Sequence, residues 1–429
     1  MFEKKNLTKC SFDTKTVHAG QSPDPSTGAI NTPVYLTATY VLEQLGKDKN
    51  HHYARSSNPT RTVLEQLLAE LEGSRYGVAF SSGMSAADAI VRAWLKQGDH
   101  VVVGDDVYGG IFRLFEYNYK KYGLAFDYVD TTVVKNIETA IKPSTRMIWL
   151  ETPTNPLLKV TDLICVCKLL ALINETRQDD EKILSVIDNT FMTPYFMRPL
   201  EFGIDIVFHS TTKFFSGHNQ MVGGAVIVRD DPKRWYYGET SKMVFDAEAG
   251  HEKKLINENA NLLYTGIQFI QNAVGAIPSP FDCWLTIMGT KTLALRMQRS
   301  DDSARKIADF LSKHPKVKKV YYPGLATHLN YNIAKEQMTG FGAMISFEVQ
   351  GTITDAITFM NSVKLWSLAE SLGAVESMVT HPASMSHVSV PAEVRHSRGI
   401  SDGLIRLSVG IESAHDLIAD LDQALQHRT

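Results

Sequence analysis

The chain has 429 residues, a formal net charge of −3, 44% hydrophobic residues and 21% charged residues. At about 100–200 residues per domain, this length predicts roughly two or three domains with an ample hydrophobic core. The slightly negative charge argues against a nucleic-acid-binding protein, because phosphate backbones are held by clustered lysine and arginine side chains.

The sequence also argues against a membrane or secreted protein. No apolar run approaches the ~18 residues of a membrane span, and the first ten residues, MFEKKNLTKC, lack the apolar stretch of a secretory signal. Among the cysteines Cys10, Cys165, Cys167 and Cys283, only Cys165 and Cys167 are close in sequence. No second pair matches them, so buried thiols are favoured over a zinc site or disulfides. We expect no metal and a cytoplasmic location.

The N-terminal region, residues 1–60, is rich in Thr, Ser, Pro, Gly and Asn and lacks helical periodicity. It predicts a polar, extended arm. An amphipathic helix is expected from about Thr60, because apolar residues then recur on one helical face, and Gly73 ends it.

A first globular domain is predicted over residues 61–275, where short apolar runs alternate with helical stretches. This pattern predicts an α/β fold with a mainly parallel sheet covered by helices. Strands are expected at 76–80, 100–104, 125–130, 146–151, 183–188, 205–210 and 223–228. Residues 231–264 are polar, charged and without clear period, and we interpret them as an inserted surface segment.

A smaller C-terminal domain is predicted over residues 276–429. It combines a helical stretch at about 282–313, two strands, VKKVYYPG and GAMISFEV, and a closing helix near 413–426. This mixture is typical of an α+β domain.

Polar residues follow the predicted strands at their carboxyl ends, where functional groups of α/β sheets collect. Lys213 follows one of these strands. A lone lysine there usually reaches solvent, but a desolvated lysine beside the hydroxyls of Ser210 and Thr212 suits Schiff-base chemistry, since a lowered pKa frees the amine.

Two further features point to the same chemistry. The helix start at Ser82-Gly83-Met84 offers N–H groups for a phosphate, although many such starts are plain helix caps. Asp188 ends the most apolar strand, where a carboxylate needs a partner. A protonated pyridine nitrogen would pair it, with a helix N-cap as the alternative. Along the chain, the phosphate turn at 82–84, Tyr108, Asn155, Asp188 and Lys213 follow one another on successive strand ends. This joint occurrence predicts an enzyme that uses pyridoxal phosphate (PLP).

The chain resembles the Cys/Met-metabolism PLP enzymes, which have the aspartate-aminotransferase fold (fold type I). The resemblance runs from about Thr16 to Gln426 and is interrupted by the inserted segment. The motifs that carry it are YAR-x-x-NPTR (53–61), SGM (82–84), D-x-YG (106–109), ETPTNP (151–156), DNT (188–190), S-x-TK (210–213) and LIRLSVG (404–410).

The resemblance implies a role for each matching residue. Lys213 holds PLP, Asp188 pairs with the pyridine nitrogen and Tyr108 stacks on the ring, and these three are the expected catalytic residues. The other implied cofactor contacts are Gly83, Met84, Asn155, Thr190, Ser210 and Thr212, together with Tyr53 and Arg55 from a neighbouring subunit. The implied substrate contacts are Arg406, which grips the α-carboxylate, and Asn155, Ser371, Glu370 and Arg113.

The choice of reaction depends on a few positions. Glu370 and Arg113 match residues of cystathionine γ-lyases and γ-synthases, and the run SLAESLG (367–373) resembles eukaryotic γ-lyases most. Methionine γ-lyases usually carry a cysteine where Gly110 stands. We therefore expect γ-elimination from cystathionine first. The alternatives are cystathionine γ-synthase or another γ-replacement on an O-acylhomoserine, and then cystathionine β-lyase or methionine γ-lyase.

Several departures from the family pattern keep a replacement reaction open. Gly373-Ala374 stands for a common Gly-Gly, and His218-Asn219-Gln220 stands for a common His-Ser-Asp. Some O-acylhomoserine sulfhydrylases carry an insertion near residues 231–264. The resemblance further implies a homotetramer, a dimer of dimers with shared active sites, that acts on a small sulfur amino acid without nucleic-acid or membrane partners.

Overall fold

The structure is a computed structural model that describes residues 7–44, 51–230 and 261–426. Most of the expected inserted segment, residues 231–260, lies outside these ranges. Its last residues open a helix rather than a loop, because the Asn261 side chain accepts the backbone N–H of Tyr264 and caps the helix start. Within the described ranges, no helix is both long and apolar enough to cross a membrane.

The regular elements alternate along the first half of the described chain. The strands are β1 Tyr76–Phe80, β2 His100–Gly104, β3 Ala125–Val129, β4 Thr145–Glu151, β5 Leu184–Asp188, β6 Ile206–His209, β7 Gly224–Val228, β8 Val317–Tyr321, β9 Met344–Val349, β10 Ser367–Leu368, β11 Met378–Thr380 and β12 Leu404–Ser408. The α-helices are α1 Phe12–His18, α2 Pro59–Glu72, α3 Gly83–Trp94, α4 Gly109–Arg113, α5 Val134–Ala140, α6 Leu163–Glu175, α7 Thr193–Phe196, α8 Leu262–Val274, α9 Pro280–Thr290, α10 Leu293–Lys313, α11 Tyr331–Gln337, α12 Ile353–Ser362, α13 Ala392–Ser397 and α14 Ala414–Gln426.

The larger sheet has seven strands in the order β1-β7-β6-β5-β4-β2-β3. The five strands from β3 to β6 in this order run parallel, and β7 is antiparallel to both β6 and β1. The predicted α/β fold with a mainly parallel sheet is confirmed. The order also brings the carboxyl ends of β4, β5 and β6 side by side at one edge.

Helices cover both faces of this sheet, which explains why its inner strands are mostly apolar. On β6, Val207 packs in one hydrophobic cluster with Leu64 and Leu68 of α2. Its neighbour Phe208 packs in a second cluster with Ile90 of α3 on the other face. Alternate residues of a strand point to opposite faces, so a strand between two helical layers buries both sets.

The C-terminal part forms a five-stranded sheet in the order β10-β11-β12-β9-β8, antiparallel except for the β10–β11 pair. The helical stretch expected at 282–313 is two helices, α9 and α10. The second helix is tied to the loop after β6, because Arg296 donates to the backbone carbonyls of Phe214, at 2.7 Å, and of Phe215, at 3.3 Å. The C-terminal part therefore holds the residues that follow Lys213.

The N-terminal arm differs from expectation in two respects. Residues 12–18 form the short helix α1, where extended chain was expected. The arm also exposes large apolar side chains, among them Ile30 at 81%, Leu36 at 74% and Val41 at 94% exposure. Their dispersal among Ser, Thr and Pro hid this apolar surface in the sequence.

The cysteines are free thiols, as expected, but they are not all buried. Cys165 is exposed, since α6 buries Leu163, Val166 and Leu170 on its other face. An apolar stretch of sequence does not reveal which side of a helix faces solvent.

Candidate active site

A cavity of about 270 Å³ lies at the carboxyl ends of β4, β5 and β6, beneath residues of the C-terminal sheet. It gathers most of the residues expected from the sequence. The expected residues that line it are Gly83, Met84, Tyr108, Asn155, Asp188, Thr190, Ser210, Thr212, Lys213, Glu370, Ser371 and Arg406.

Three expected site residues do not line the cavity. Arg113 is exposed at the last position of α4. Tyr53 is 45% exposed in the arm, and the Arg55 guanidinium lies 5.6 Å from the centre of its ring. Within one chain, therefore, the arm does not contribute these two side chains to the cavity.

The amine of Lys213 is buried in the cavity and donates to the Ser371 hydroxyl at 2.8 Å. Burial, together with the nearby Arg406 charge, lowers the pKa of Lys213 to about 8. A substantial fraction of this amine is therefore neutral near pH 8, which is what a nucleophile or a proton acceptor requires.

Ser371 lies in the cavity wall with an unusual backbone, at φ 131°. Such a conformation costs a non-glycine residue about 1–3 kcal/mol and persists only where surrounding contacts hold it. Two contacts do so here: the hydroxyl accepts from Lys213, and the carbonyl accepts from Arg406 at 2.9 Å.

Arg406 on β12 is 2% exposed and reaches partners in both parts of the chain. Its Nη1 donates to Asn155 Oδ1 at 2.9 Å, and its Nη2 donates to the Ser371 carbonyl and, at 3.3 Å, to Thr380 Oγ1. Its Nε has no hydrogen-bond partner among the described residues. These partners are neutral oxygens, so the buried charge is left for an anionic ligand, which a guanidinium binds best as a carboxylate.

Two carboxyl groups on neighbouring strands also line the cavity. Asp188 ends β5 and Glu151 ends β4, and the two residues are paired in register. Burial raises the pKa of both groups, and the Asp188 charge raises that of Glu151 further. Two neighbouring carboxyl groups with raised pKa values favour a cation or a proton between them.

Glu151 is a cavity residue whose role the sequence left unassigned. Its Oε2 accepts the backbone N–H of Tyr108 at 3.0 Å and so fixes the turn that carries the tyrosine. Its position at a strand end, directly before Thr152-Pro153, was the available signal. The other unassigned lining residues are Ser82, Pro153, Phe191, Val222, Leu372 and Ser386.

The Tyr108 ring packs against the backbone of Gly110, where there is no room for a side chain. A Cβ added at Gly110 would lie 2.4 Å from Tyr108 Cε1. A side chain at position 110 would therefore push the ring out of its present place in the cavity.

The third side of the cavity is the start of α3, whose first backbone N–H groups have no partner within the helix. Gly83 brings this helix against the chain after β6, because an added Cβ would meet Ser210 Cβ at 3.0 Å. The Ser210 N–H is held by Thr190 Oγ1 at 2.9 Å, and the Thr212 hydroxyl donates to the Gly223 carbonyl at 3.2 Å.

The whole arrangement suits a ligand with a distinct group at each end. N–H groups at a helix start favour a phosphate, and the Asp188 carboxylate favours a cationic ring nitrogen. Lys213 supplies a reactive amine and Arg406 a site for a second carboxylate.

Comparison with known proteins points the same way. A family model described as "Cys/Met metabolism PLP-dependent enzyme" matches residues 13–426. The chain is 44% identical over 421 residues to a protein named cystathionine beta-lyase from Coxiella burnetii, covering 98% of this chain and 99% of the relative. It is 43% identical over 414 residues to one named cystathionine gamma-lyase from Bacillus subtilis, covering 96% and 99%.

A solved structure shares the fold over nearly the whole chain. This structure, a cystathionine gamma synthase from Xanthomonas oryzae pv. oryzae in complex with cystathionine, matches with a TM-score of 0.86 and 40% identity. The match covers 97% of this chain and 98% of that one.

The buried environment of Lys213 predicts how its amine titrates. In protein freed of any bound small molecule, acetylation of Lys213 by acetic anhydride should rise with pH and level off above a midpoint near pH 8, because only the neutral amine reacts. Surface lysines serve as internal controls and should titrate near ~10.4. Mass spectrometry of the labelled peptides measures both. A Lys213 midpoint close to that of the surface lysines would show that its amine is solvated.

Proposed function

The chain belongs to the family of Cys/Met metabolism PLP-dependent enzymes, and on this premise we propose that it cleaves cystathionine by γ-elimination. The products would be cysteine, 2-oxobutanoate and ammonia. The observation that carries the proposal is that one cavity holds both Arg406 and Glu370. Cystathionine has an amino acid group at each end, so a site for it needs a cation for one carboxylate and an anion for the distant ammonium.

The cavity residues fit PLP, the cofactor of this family. Lys213 would hold it covalently, Asp188 would pair with the pyridine nitrogen and Tyr108 would cover the ring. Its phosphate would lie at the start of α3, with Gly83, Met84, Ser210 and Thr212, and Asn155 and Thr190 would flank the ring. When bound, PLP supplies an electron sink for the bond broken at the substrate α-carbon.

The residues of the chain perform the remaining tasks. Arg406 binds the α-carboxylate, and its contacts with Asn155 and Ser371 fix the guanidinium before substrate arrives. Lys213 would accept the proton from Cα and deliver it to the bound cofactor. The amine, neutral again, would then accept a proton from Cβ, and the thiolate of cysteine would leave from Cγ. One base has to reach two carbons, which suits a flexible four-carbon amine better than a fixed carboxylate.

Glu370 supports the choice of cystathionine over a smaller substrate. It lines the cavity, and its charge raises the pKa of Tyr108 and opposes the lowering of the Lys213 and Arg406 pKa values. Its carboxylate is therefore near the reacting groups while keeping contact with solvent. We assign it to the distal ammonium, with Arg113 outside the lining as a weaker candidate for the distal carboxylate.

A γ-replacement reaction is the second candidate. The relative with a bound cystathionine is named a synthase, and both reactions need the same grip on the two ends of cystathionine. Methionine γ-elimination is disfavoured, since Gly110 stands where methionine γ-lyases usually carry a cysteine. β-Elimination is supported only by the names of relatives such as the Coxiella protein.

A cytoplasmic location is also part of the proposal. The cysteines Cys10, Cys165, Cys167 and Cys283 are all free, as is usual where glutathione and thioredoxin keep thiols reduced.

Oligomeric assembly is a separate part of the proposal. Tyr53 and Arg55 lie outside the cavity of their own chain, and the arm that carries them exposes large apolar side chains. Arg61 fixes the backbone beside them, donating to the carbonyls of Ala54 at 2.8 Å and Arg55 at 3.1 Å. We propose that the arm packs on a second subunit, where Arg55 pairs with the cofactor phosphate, and that two such dimers form a tetramer.

Product analysis tests the reaction. With cystathionine, the purified enzyme should release cysteine and 2-oxobutanoate, and Glu370→Gln should raise KM by roughly tenfold, since a hydrogen bond to a charged group is worth about 1.5–3 kcal/mol. Homoserine, which lacks the distal ammonium, is the matched substrate, and its KM should change little in the variant. Pyruvate and homocysteine as main products would identify a β-lyase. Faster turnover of an O-acylhomoserine with cysteine would identify a synthase.

Substitution of Asp188 tests the electron sink. Asp188→Asn keeps the shape of the side chain but removes the charge that holds the pyridine proton. We expect the variant to lose about 3 kcal/mol of transition-state stabilisation. Since each 1.4 kcal/mol slows turnover tenfold, kcat should fall by roughly 100-fold or more. Asp188→Glu, which keeps the charge, is the control and should lose less. Turnover of Asp188→Asn near that of the native enzyme would remove Asp188 from this role.

Complementation tests the shared site. Arg55→Ala should inactivate the partner's site, and Lys213→Ala should inactivate its own, so each variant alone is inactive. A co-refolded equimolar mixture should regain about a quarter of native activity, because half of the dimers are mixed and each has one intact site. As a control, the double variant mixed with native chain should form mixed dimers without an intact site. A mixture that stays inactive although mixed dimers form would place Arg55 in its own subunit's site.

A further inference from the structure

His387 lies in the chain segment between β11 and α13, next to the cavity but outside its lining. The side chain is 1% exposed and uses both ring nitrogens. Nε2 lies 3.0 Å from the backbone carbonyl of Asn155, and Nδ1 lies 2.9 Å from the Ser386 hydroxyl. His387 therefore joins the C-terminal segment to the loop after β4.

These partners fix the state of the ring. A carbonyl oxygen only accepts, so Nε2 carries a hydrogen and donates it to Asn155. Burial, helped by the charge of Arg406, lowers the pKa of His387 to about 3. The ring is thus neutral at physiological pH, and Nδ1 accepts from the Ser386 hydroxyl.

The same segment packs against the turn that carries Tyr108. The His387 and Tyr108 rings meet edge to face, with their centres 6.4 Å apart. Gly109 allows this contact, since an added Cβ would lie 2.4 Å from the Ser386 carbonyl. The hydroxyl of Ser389 donates to the Gly109 carbonyl at 3.2 Å.

Asn155 is the point at which these contacts reach the substrate site. Its side-chain oxygen accepts from Arg406 Nη1, and its backbone carbonyl accepts from His387. A buried carbonyl that loses its donor is left unsatisfied, at a cost that local movement would relieve. Movement of the Asn155 backbone would shift the oxygen that orients the guanidinium.

We propose that His387 is a positioning residue, which holds Asn155 so that Arg406 is oriented to grip the α-carboxylate of the substrate. The inference rests on the proposed function only as far as an α-amino acid substrate is concerned. It does not depend on which bond the enzyme breaks afterwards.

His381 provides a matched control in the same segment. It is 4% exposed, its Nε2 lies 2.7 Å from the backbone carbonyl of Asp402, and its Nδ1 lies 2.8 Å from the Ser384 hydroxyl. It therefore makes the same two kinds of hydrogen bond as His387. Its carbonyl partner, however, does not line the cavity.

The experiment compares glutamine and methionine at both positions. The two side chains have similar length, but only the glutamine amide can replace the Nε2 donor. The measured quantity is the dissociation constant of L-alanine from the PLP-bound enzyme, followed by the visible absorption of the cofactor. His387→Met should weaken alanine binding about tenfold, one lost hydrogen bond of roughly 1.4 kcal/mol, and His387→Gln should stay within about threefold.

Thermal unfolding of the cofactor-free proteins supplies the second measurement. His387→Met and His381→Met should both unfold at lower temperature, and the His381 variant should bind alanine like the native enzyme. Equal weakening of alanine binding in the two methionine variants, or none in His387→Met, would overturn the proposal. Should His387→Met fail to fold, His387→Asn replaces it, since its shorter amide does not reach Asn155. Products of cystathionine do not enter this measurement, so an error in the proposed reaction would leave it interpretable.

Discussion

The active site depends on the burial of one positive charge whose hydrogen-bond partners among the described residues are all neutral. Arg406 sits on a central strand of the C-terminal sheet and donates to oxygen atoms of Asn155, Ser371 and Thr380, all of them neutral. A buried, unneutralised guanidinium is costly, and the surrounding hydrophobic packing has to offset that cost. In return the charge is available to an anionic ligand, and it lowers the pKa of the neighbouring Lys213 amine. The position of Arg406 thus serves the binding of an anionic ligand and, together with burial, the reactivity of the Lys213 amine.

The larger sheet supplies two carboxyl groups of the cavity, Glu151 at the end of β4 and Asp188 at the end of β5. Parallel pairing in register sets Glu151 beside Asp188, so the backbone ladder fixes the separation of their Cα atoms. Both residues line the cavity, and Glu151 Oε2 in addition accepts the backbone N–H of Tyr108. One hydrophobic cluster joins this sheet to the C-terminal sheet, and the cavity lined by both parts holds Arg406 together with these carboxyl groups. The close approach of Gly83 to Ser210 sets the third side of the cavity.

Much of this arrangement could be predicted from the sequence, because the reactive residues lie at or just after the ends of apolar strands. Asp188, Lys213 and Asn155 follow apolar runs directly, so their position at one edge follows from the α/β pattern. The direction of β7 could not be predicted, because a strand buried on both faces has the same pattern in either direction. His387 gave no signal either, since its partner Asn155 is 232 residues away in the chain and its contact is to backbone. The exposure of apolar residues in the arm depends on what covers them, which no local pattern encodes.

Glu370 belongs to a different class of residue from the other charged residues of the cavity. It lies at the solvent side, on the short segment after β10, and no hydrogen bond of the buried framework depends on it among the described contacts. A substitution there leaves the packing of the core intact, and it acts on Tyr108, Lys213 and Arg406 only through the loss of a nearby charge. Relatives of 40–44% identity carry lyase and synthase names while matching this chain over nearly its whole length. An exposed side chain such as Glu370, on which no described buried hydrogen bond depends, is a position that evolution can change without loss of the fold.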